Sequence, residues 1–163
     1  MKVLVFGPSG VGKTYIVKAL QQSGINAYDA DVVEGLSAWY NQHGEKIPTP
    51  TSAHEALTNH YSFLWDKQFL ENFLAQFNDV YLFGGSGNTF KIFDLFDKVF
   101  FLKEDTQIQK ERLLNSRKNS LMDFGAGEMI TWGDWLEQES IKRNIPFIDG
   151  TLSPKEVFDI INK

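Results

Sequence analysis

The sequence predicts an α/β fold in which one parallel sheet carries helices on both faces. Short apolar runs alternate with segments of helical periodicity along the chain, which is the pattern of repeated strand-helix units. The 163 residues are one domain's worth of chain and contain no internal repeat, low-complexity tract or linker. We therefore expect a single domain over residues 1–163.

The composition narrows the classes of function. The chain has no cysteine, which excludes disulfides, thiolate zinc sites and a cysteine nucleophile. Its net charge of −5 argues against a broad nucleic-acid surface. The 14 Phe and 4 Trp predict an aromatic-rich core or a pocket for flat ligands, and core packing is favoured.

The apolar runs are all short. None approaches the roughly 20 residues of a membrane span, and residues 1–6 are too few for the apolar region of a signal peptide. We therefore expect a cytoplasmic protein with neither membrane nor nucleic-acid partners.

The first predicted strand, residues 3–6, leads into the loop GPSGVGKT at residues 7–14, which has the pattern G-x-x-x-x-G-K-T. Glycines let successive backbone N–H groups point at an anion, and the positive end of the following helix adds to this field. Lys13 would reach the β- and γ-phosphates of a nucleotide, and the Thr14 hydroxyl would bind Mg²⁺. A glycine-rich turn that binds nothing is disfavoured, because a strand precedes the loop and helical spacing follows it. The predicted nucleotide-binding residues here are Gly7, Ser9, Gly10, Val11, Gly12, Lys13, Thr14 and Tyr15.

Two carboxylates follow the second predicted strand, residues 25–28, which comes after a helix end at Ser23-Gly24. Asp29 and Asp31 stand at the carboxyl end of this strand, the sheet edge where ligands collect in open α/β folds. In an extended segment their side chains point the same way. Either can face Mg²⁺ or a substrate hydroxyl, or it can simply cap the next helix.

The segment over about 32–77 is predicted to be helical and to lie on the side of a second substrate. Residues 34–42 show helical spacing, and a proline-containing loop follows at residues 48–51. Ser52 and Glu55 have the spacing of a capping box. The clearest apolar stripe comprises Phe69, Leu70, Phe73, Leu74 and Phe77. For Trp39 and Trp65, core packing is favoured over a substrate contact.

A second glycine-rich turn follows the predicted strand at residues 80–83. Its sequence, GGSGN over residues 84–88, can expose N–H groups to a transferred phosphate or to the acceptor. A plain strand-to-helix connection would need fewer glycines. We therefore predict that Gly84, Gly85 and Ser86 bind substrate, with Asn88 as a further donor.

The second half of the chain continues the alternation. A helix is predicted around residues 90–96, a strand at residues 98–102 and a helix opened by Thr106 and Gln109. Arg112 and Arg117 lie on that helix before a glycine-containing loop, which favours a phosphate-closing lid at about residues 116–128. The alternative is that these cations merely favour the helix C-terminus.

The C-terminal part reads as helix, strand, loop and helix. The predicted helix covers Glu128 to Asn144, and the predicted strand covers residues 146–148. Ser153, Pro154 and Glu156 form a capping box with proline at the first helical position, so they predict a final helix from Pro154.

These motifs together resemble the small P-loop kinases of the adenylate kinase-like group, which includes shikimate, gluconate and adenylate kinases. The resemblance covers essentially the whole chain. It implies the three-layer P-loop NTPase fold, with a five-stranded parallel sheet in the order 2-3-1-4-5. It also implies that the chain binds ATP and Mg²⁺.

The resemblance implies individual roles as well. Asp29 is similar to the shikimate kinase carboxylate beside Mg²⁺ and the acceptor hydroxyl, and Asp31 to its substrate-binding partner. Arg112 is similar to the arginine packed against adenine, and Arg117 to the lid arginine. The loop from Gly150 to Pro154, including Thr151, is similar to the loop that flanks the base.

The chain departs from the group on the acceptor side. No arginine occurs between Asp31 and Gly84, where shikimate kinases have substrate-binding arginines and adenylate kinases have AMP-site arginines. We expect a neutral or weakly charged acceptor.

The sequence therefore predicts a kinase that transfers the γ-phosphate of ATP to a small acceptor. Lys13, Asp29 and Arg117 would act in catalysis, and Thr14 and Asp29 would hold Mg²⁺. A nucleotide-gated binding module and a simple ATPase are the alternatives. The acceptor's identity and the choice between monomer and homodimer stay open.

Overall fold

The computed structural model describes residues 1–105, 107–109, 111 and 126–163. This part of the chain forms eight strands, β1 to β8: Lys2–Phe6, Ala27–Asp29, Ser37–Tyr40, Lys46–Ile47, Ser62–Trp65, Val80–Phe83, Lys98–Lys103 and Phe147–Asp149. Its helices α1 to α5 are Lys13–Gln22, Ala53–Thr58, Lys67–Leu74, Ala126–Lys142 and Pro154–Ile161. Residues 107–109 and 111 are also helical.

Five strands form the central parallel sheet in the order β2-β6-β1-β7-β8. Three strands of a separate sheet intervene in the chain between β2 and β6. When only the strands of the central sheet are counted, the order reads 2-3-1-4-5. The α/β class and the parallel sheet predicted from the sequence are confirmed.

Helices cover both faces of this sheet, and β1 shows how. Val3 and Val5 belong to one core, with Ile16 of α1 and Val157 of α5. Leu4 and Phe6 point to the opposite core, which contains residues of α3 and α4. These four strand residues are completely buried. An all-apolar strand is therefore required, because both of its faces are covered.

The predicted helix over residues 34–42 is wrong. Residues Ser37–Tyr40 are strand β3, which pairs antiparallel with β4 and with β5 in a three-stranded sheet. The β3–β4 hairpin closes at Asn41, whose side-chain oxygen accepts from the backbone N–H groups of His43 and Glu45. Gly44 supplies a left-handed φ of 77° in that turn. Cross-strand pairing overrode the helical spacing of the sequence.

The continuous helical segment predicted up to residue 77 is also wrong, because strand β5 divides it. Helix α2 ends before His60, which has a φ of 54°. Helix α3 starts after Asp66, whose side chain accepts from the N–H of Phe69 at 2.9 Å. The Ser52 cap of α2 is confirmed, since its hydroxyl accepts from Glu55 N–H at 3.1 Å.

The elements that follow β6 agree with the predictions only in part. The helix predicted around residues 90–96 is replaced by two short 3-10 turns, Thr89–Lys91 and Phe93–Leu95. The capping box that opens α5 is confirmed, with Pro154 in its first turn.

The predictions for Thr106, Arg112, Arg117 and most of the lid, residues 116–125, lie outside the described residues. Within the described part of the chain, no helix combines the length and the hydropathy that crossing a membrane requires.

Candidate active site

The phosphate loop joins the end of β1 to the start of α1, and glycines shape it. Gly10 and Gly12 have left-handed φ angles of 86° and 93°, which other residues rarely adopt. Gly7 lies so close to the backbone carbonyl of Leu102 that a Cβ atom would overlap it. The predicted tight loop is therefore present: its backbone conformation favours glycine at positions 10 and 12, and its contact with Leu102 excludes a side chain at position 7.

Lys13 folds back over this loop. Its ammonium donates to the carbonyl oxygens of Gly7 at 2.9 Å and Pro8 at 2.7 Å. Burial lowers the pKa of Lys13, and the negative charges of Asp31 and Asp29 partly oppose that shift. A partly desolvated cation whose hydrogen bonds go to neutral carbonyls gains much from an anion beside it.

Thr14 and Asp29 form the second fixed contact of the site. The Thr14 hydroxyl donates to Asp29 Oδ2 at 2.6 Å, and Asp29 is only 6% exposed at the end of β2. The other carboxylate oxygen of Asp29 accepts from the N–H of Asp31 at 3.1 Å. Asp29 is thus both a cap and a partner of Thr14. A hydroxyl and a carboxylate side by side are the hard oxygen donors that suit Mg²⁺.

A cavity of about 880 Å³ opens from the phosphate loop. Its phosphate end is lined by Gly7, Ser9, Lys13, Asp31, Gly85 and Ser86. Its opposite end, which we call the sheet end, is lined chiefly by residues of the antiparallel sheet and helix α2: Trp39, Lys46, Ile47, Ala56, Leu57, Tyr61 and Phe63. The volume is within the range of pockets that bury small molecules, roughly 300–1,000 Å³.

The sheet end is built from one cross-strand row. Trp39 lies opposite Ile47 on one side and opposite Phe63 on the other, so the three side chains share one face of the sheet. The rings of Trp39 and Phe63 are 5.5 Å apart between centroids. Leu57, on α2, is 57% exposed at the edge of this end. The result is a largely apolar, aromatic wall facing the phosphate loop.

The second glycine turn ties this wall to the central sheet. The Asn88 side chain accepts from Trp65 N–H at 3.0 Å and donates to Trp65 C=O at 2.9 Å. Gly87 N–H donates to the Phe63 carbonyl at 2.8 Å. The Asn88 side chain, predicted as a donor to substrate, thus forms hydrogen bonds with the backbone of β5 instead.

The predicted substrate residues of this turn are placed differently from one another. Gly85 and Ser86 line the cavity. Ser86 is 2% exposed, and its hydroxyl contacts Asn88 Oδ1 at 2.7 Å. Gly84 instead packs against Ala30, where a Cβ would lie 2.5 Å from that of Ala30.

Residues that follow the fourth central strand also touch the site. Gln109 donates through its side chain to the Ser9 carbonyl at 2.7 Å. Trp132 of α4 lines the cavity, and Gly133 packs against Pro8. The sequence predicted Gln109 as a cap residue and placed Trp132 within the predicted helix over residues 128–144, with no role in the site. Neither sequence pattern predicts contact with the phosphate loop, because that contact joins residues that lie far apart along the chain.

The loop predicted to flank the base lies against the phosphate loop. A Cβ at Gly150 would be 3.2 Å from the Val11 carbonyl. Asp149 accepts from the backbone and hydroxyl of Thr151 at 2.8 and 2.7 Å, and these hydrogen bonds lower the pKa of Asp149. Thr151 and Pro154 are not among the residues that line the described cavity, and Tyr15 is 68% exposed on α1.

Comparison with known proteins identifies the fold. Neither a protein-family model nor a curated protein matches the sequence. Among solved structures, the chain is similar to deoxyadenosine kinase from M. mycoides with bound dATP, with a TM-score of 0.56, 17% identity and 100% of both chains covered. It is also similar to shikimate kinase from Acinetobacter baumannii in complex with shikimate, with a TM-score of 0.55 and 15% identity over 98% of this chain and 92% of that one.

A third similar structure is a gluconokinase from Sinorhizobium meliloti 1021. Its TM-score is 0.53 and its identity 16%, over 97% of this chain and 87% of that chain. All three are P-loop kinases of the adenylate kinase-like group. The chain therefore has the fold of that group, as its sequence motifs predicted.

Proposed function

We propose that the protein is an ATP-dependent phosphotransferase that moves the γ-phosphate of ATP to a hydroxyl group of a small acceptor. The observation that carries this proposal is the single cavity that runs from Lys13 to the aromatic wall of the antiparallel sheet. A nucleotide's terminal phosphates and a second molecule can share that space. Phosphoryl transfer requires such shared positioning more than any covalent chemistry by the protein.

The phosphate loop would stabilise the charge on the transferring group. Its backbone N–H groups and the Lys13 ammonium would donate hydrogen bonds to the phosphate oxygens on which that charge develops. Lys13 would exchange its bonds to the Gly7 and Pro8 carbonyls for phosphate oxygens. We also propose that Arg117 supplies a further cation. Arg112 and the loop that contains Thr151 would surround adenine. The sequence motifs support these assignments.

Thr14 and Asp29 would hold Mg²⁺, which supplies charge neutralisation on the phosphates when bound. The sequence assigned acceptor orientation to Asp29 as well. Asp31 lines the cavity whereas Asp29 is buried against Thr14, so we assign the acceptor hydroxyl to Asp31 and keep Asp29 for the metal.

The proposed reaction exchanges one phosphorus–oxygen bond for another. The acceptor oxygen forms a bond to the γ-phosphorus, and the bond from that phosphorus to the β–γ bridging oxygen breaks. The hydroxyl proton passes to the Asp31 carboxylate or to water, and ADP leaves with the bridging oxygen.

The similar structures support a kinase without naming its acceptor. They are a deoxyadenosine kinase, a shikimate kinase and a gluconokinase, and the acceptors that these names imply differ in charge and shape. We infer from them a soluble enzyme that uses ATP and a small molecule, and we propose that it works in the cytoplasm.

The test is incubation with ATP, Mg²⁺ and a panel of metabolites and nucleosides, with ADP and phosphorylated product followed together. Acceptor-dependent ADP that disappears in Lys13→Ala supports the kinase. Lys18→Ala is the matched control, because Lys18 is exposed on the same helix. ATP binding without turnover would instead support a binding module, and phosphate release without acceptor would support an ATPase.

A further inference from the structure

The sheet end of the described cavity is poor in charged residues. The charged residues among those that line the described cavity are Lys13 and Asp31 at the phosphate end and Lys46 at the sheet end. Lys46 is exposed on the short strand β4. Residues 1–111 contain no arginine at all. The described sheet end therefore offers no fixed, forked cation to a carboxylate or phosphate.

Asp31 offers a hydrogen-bond acceptor at the phosphate end. Its carboxylate lines the same cavity, so a hydroxyl group of the bound compound can donate a hydrogen bond to it.

The wall of the sheet end favours a flat ring. Trp39 and Phe63 pack with ring centroids 5.5 Å apart and planes inclined at 53°, and Ile47 extends this apolar surface in the same cross-strand row. Tyr61 and Trp132 also line the cavity. Flat conjugated rings pack on such aromatic surfaces. The hydroxyl groups of Ser37, Thr49 and Ser62, which line the same cavity, can bind the polar groups of such a ring compound.

The wall is also held in place. Asn88 binds both backbone groups of Trp65, and Gly87 binds the Phe63 carbonyl, so β5 is fixed to the turn that carries Gly85 and Ser86. The distance between the aromatic wall and the phosphate end is therefore set before any ligand binds. Such preorganisation lets packing on the wall position a hydroxyl at the phosphate loop.

We propose that the acceptor is an uncharged hydroxyl compound that carries a flat conjugated ring, with the ring packed on Trp39 and Phe63 and the hydroxyl directed to Asp31. This inference rests on the proposed phosphotransfer. Nucleosides combine these properties and are the probes of choice.

The experiment measures binding by calorimetry in the presence of ADP and Mg²⁺, and product formation with ATP. The probes are adenosine, cytidine and thymidine as ring compounds, ribose and glycerol as neutral compounds without an aromatic ring, gluconate and shikimate as carboxylates, and AMP as a phosphate. We expect at least one nucleoside to bind and to be phosphorylated in preference to the other classes.

Variants identify the surface that recognises the ring. Trp39→Leu should weaken nucleoside binding about tenfold, as expected for loss of a stacking partner, while Trp39→Phe should stay within about threefold. Trp135→Leu is the matched control, because Trp135 is 46% exposed and does not line the cavity. Lys46→Met should change nucleoside binding less than about twofold, since an exposed cation contributes little to an uncharged ligand.

The outcomes separate the two proposals. Preference for gluconate, shikimate or AMP, binding of neutral compounds without a ring, or loss of acceptor binding in Lys46→Met would overturn the ring inference and leave phosphotransfer intact. Trp39→Leu binding nucleosides as tightly as wild type would also overturn it. Nucleosides that bind in a Trp39-dependent manner but are never phosphorylated would support ring recognition and overturn the kinase proposal.

Discussion

Thr14 Oγ1 donates to Asp29 Oδ2 at 2.6 Å, which joins the first turn of α1 to the end of β2. The same carboxylate accepts from the N–H of Asp31. One buried acid therefore fixes the start of the phosphate-loop helix and the position of the next carboxylate. Asp29 and Asp31 should consequently differ in what their removal does.

Asp29→Ala should lower the free energy of unfolding by about 1–2 kcal/mol, because the cap and the Thr14 contact are both lost. It should also weaken the Mg²⁺ dependence of ATP binding. Asp31→Asn keeps both the Thr14 contact and the backbone N–H that donates to Asp29, so it should cost less stability than Asp29→Ala and act mainly on turnover. Urea unfolding and steady-state kinetics measure the two effects. Equal loss of stability in both variants would contradict this division of roles.

Lys13→Met should abolish measurable phosphotransfer, with a loss of about 100-fold or more, because the transferring group loses its nearest cation. The same variant should melt at a higher temperature than wild type at pH 7 in the absence of ligand. The pKa of Lys13 is lowered in the folded chain, mainly by burial, so holding its charge there costs stability.

The pH dependence tests that explanation. Because the folded pKa lies below the unfolded value of 10.5, the unfolded chain binds more protons in the window between them. Wild-type stability contributed by this group therefore rises with pH through that window. The difference in melting temperature between Lys13→Met and wild type should shrink as the pH approaches 10.5. A constant or growing difference would show that burial is not the cause.

Asn88→Ala should lower the free energy of unfolding by about 2 kcal/mol, because both backbone groups of Trp65 lose their partner. Acceptor binding should weaken as β5 loosens, while ATP affinity stays within about twofold. Asn72→Ala, at an exposed position of α3, is the control and should change stability by less than about 0.5 kcal/mol. Equal weakening of ATP and acceptor binding would refute this coupling.

Gly150→Ala should weaken ATP binding several-fold and cost about 2 kcal/mol of stability, since the added Cβ meets backbone on two sides. It would lie 3.0 Å from the Lys103 carbonyl and 3.2 Å from the Val11 carbonyl of the phosphate loop. Calorimetric titration with ATP measures the first effect and thermal melting the second. Lys155→Ala, an exposed change in the following helix, should alter neither.

The features that the sequence predicted well depend on local chemistry. The phosphate loop and the capping box at Ser153 and Glu156 are short patterns whose conformations follow from the residues themselves. The apolar runs of β1 and β6, at the middle of the central sheet, are buried on both faces, so these strands too are visible in the sequence.

The antiparallel sheet could not be predicted in this way, because its strands are stabilised by distant partners. The spacing of Leu36, Trp39 and Tyr40 fits a helix, yet the backbone pairs with β5. Asn88 reaches Trp65 across 23 residues of chain, and Gln109 reaches Ser9 across 100. Such contacts are properties of the folded topology, and single-sequence periodicity does not encode them.

The attachment of the antiparallel sheet has a consequence for engineering. Its link to the glycine turn uses the main-chain atoms of Phe63 and Trp65, whereas Trp39 and Ile47 contribute side chains to the cavity without taking part in that link. Combinatorial libraries at positions 39 and 47 can therefore vary the proposed acceptor surface without changing the hydrogen bonds that join the two sheets.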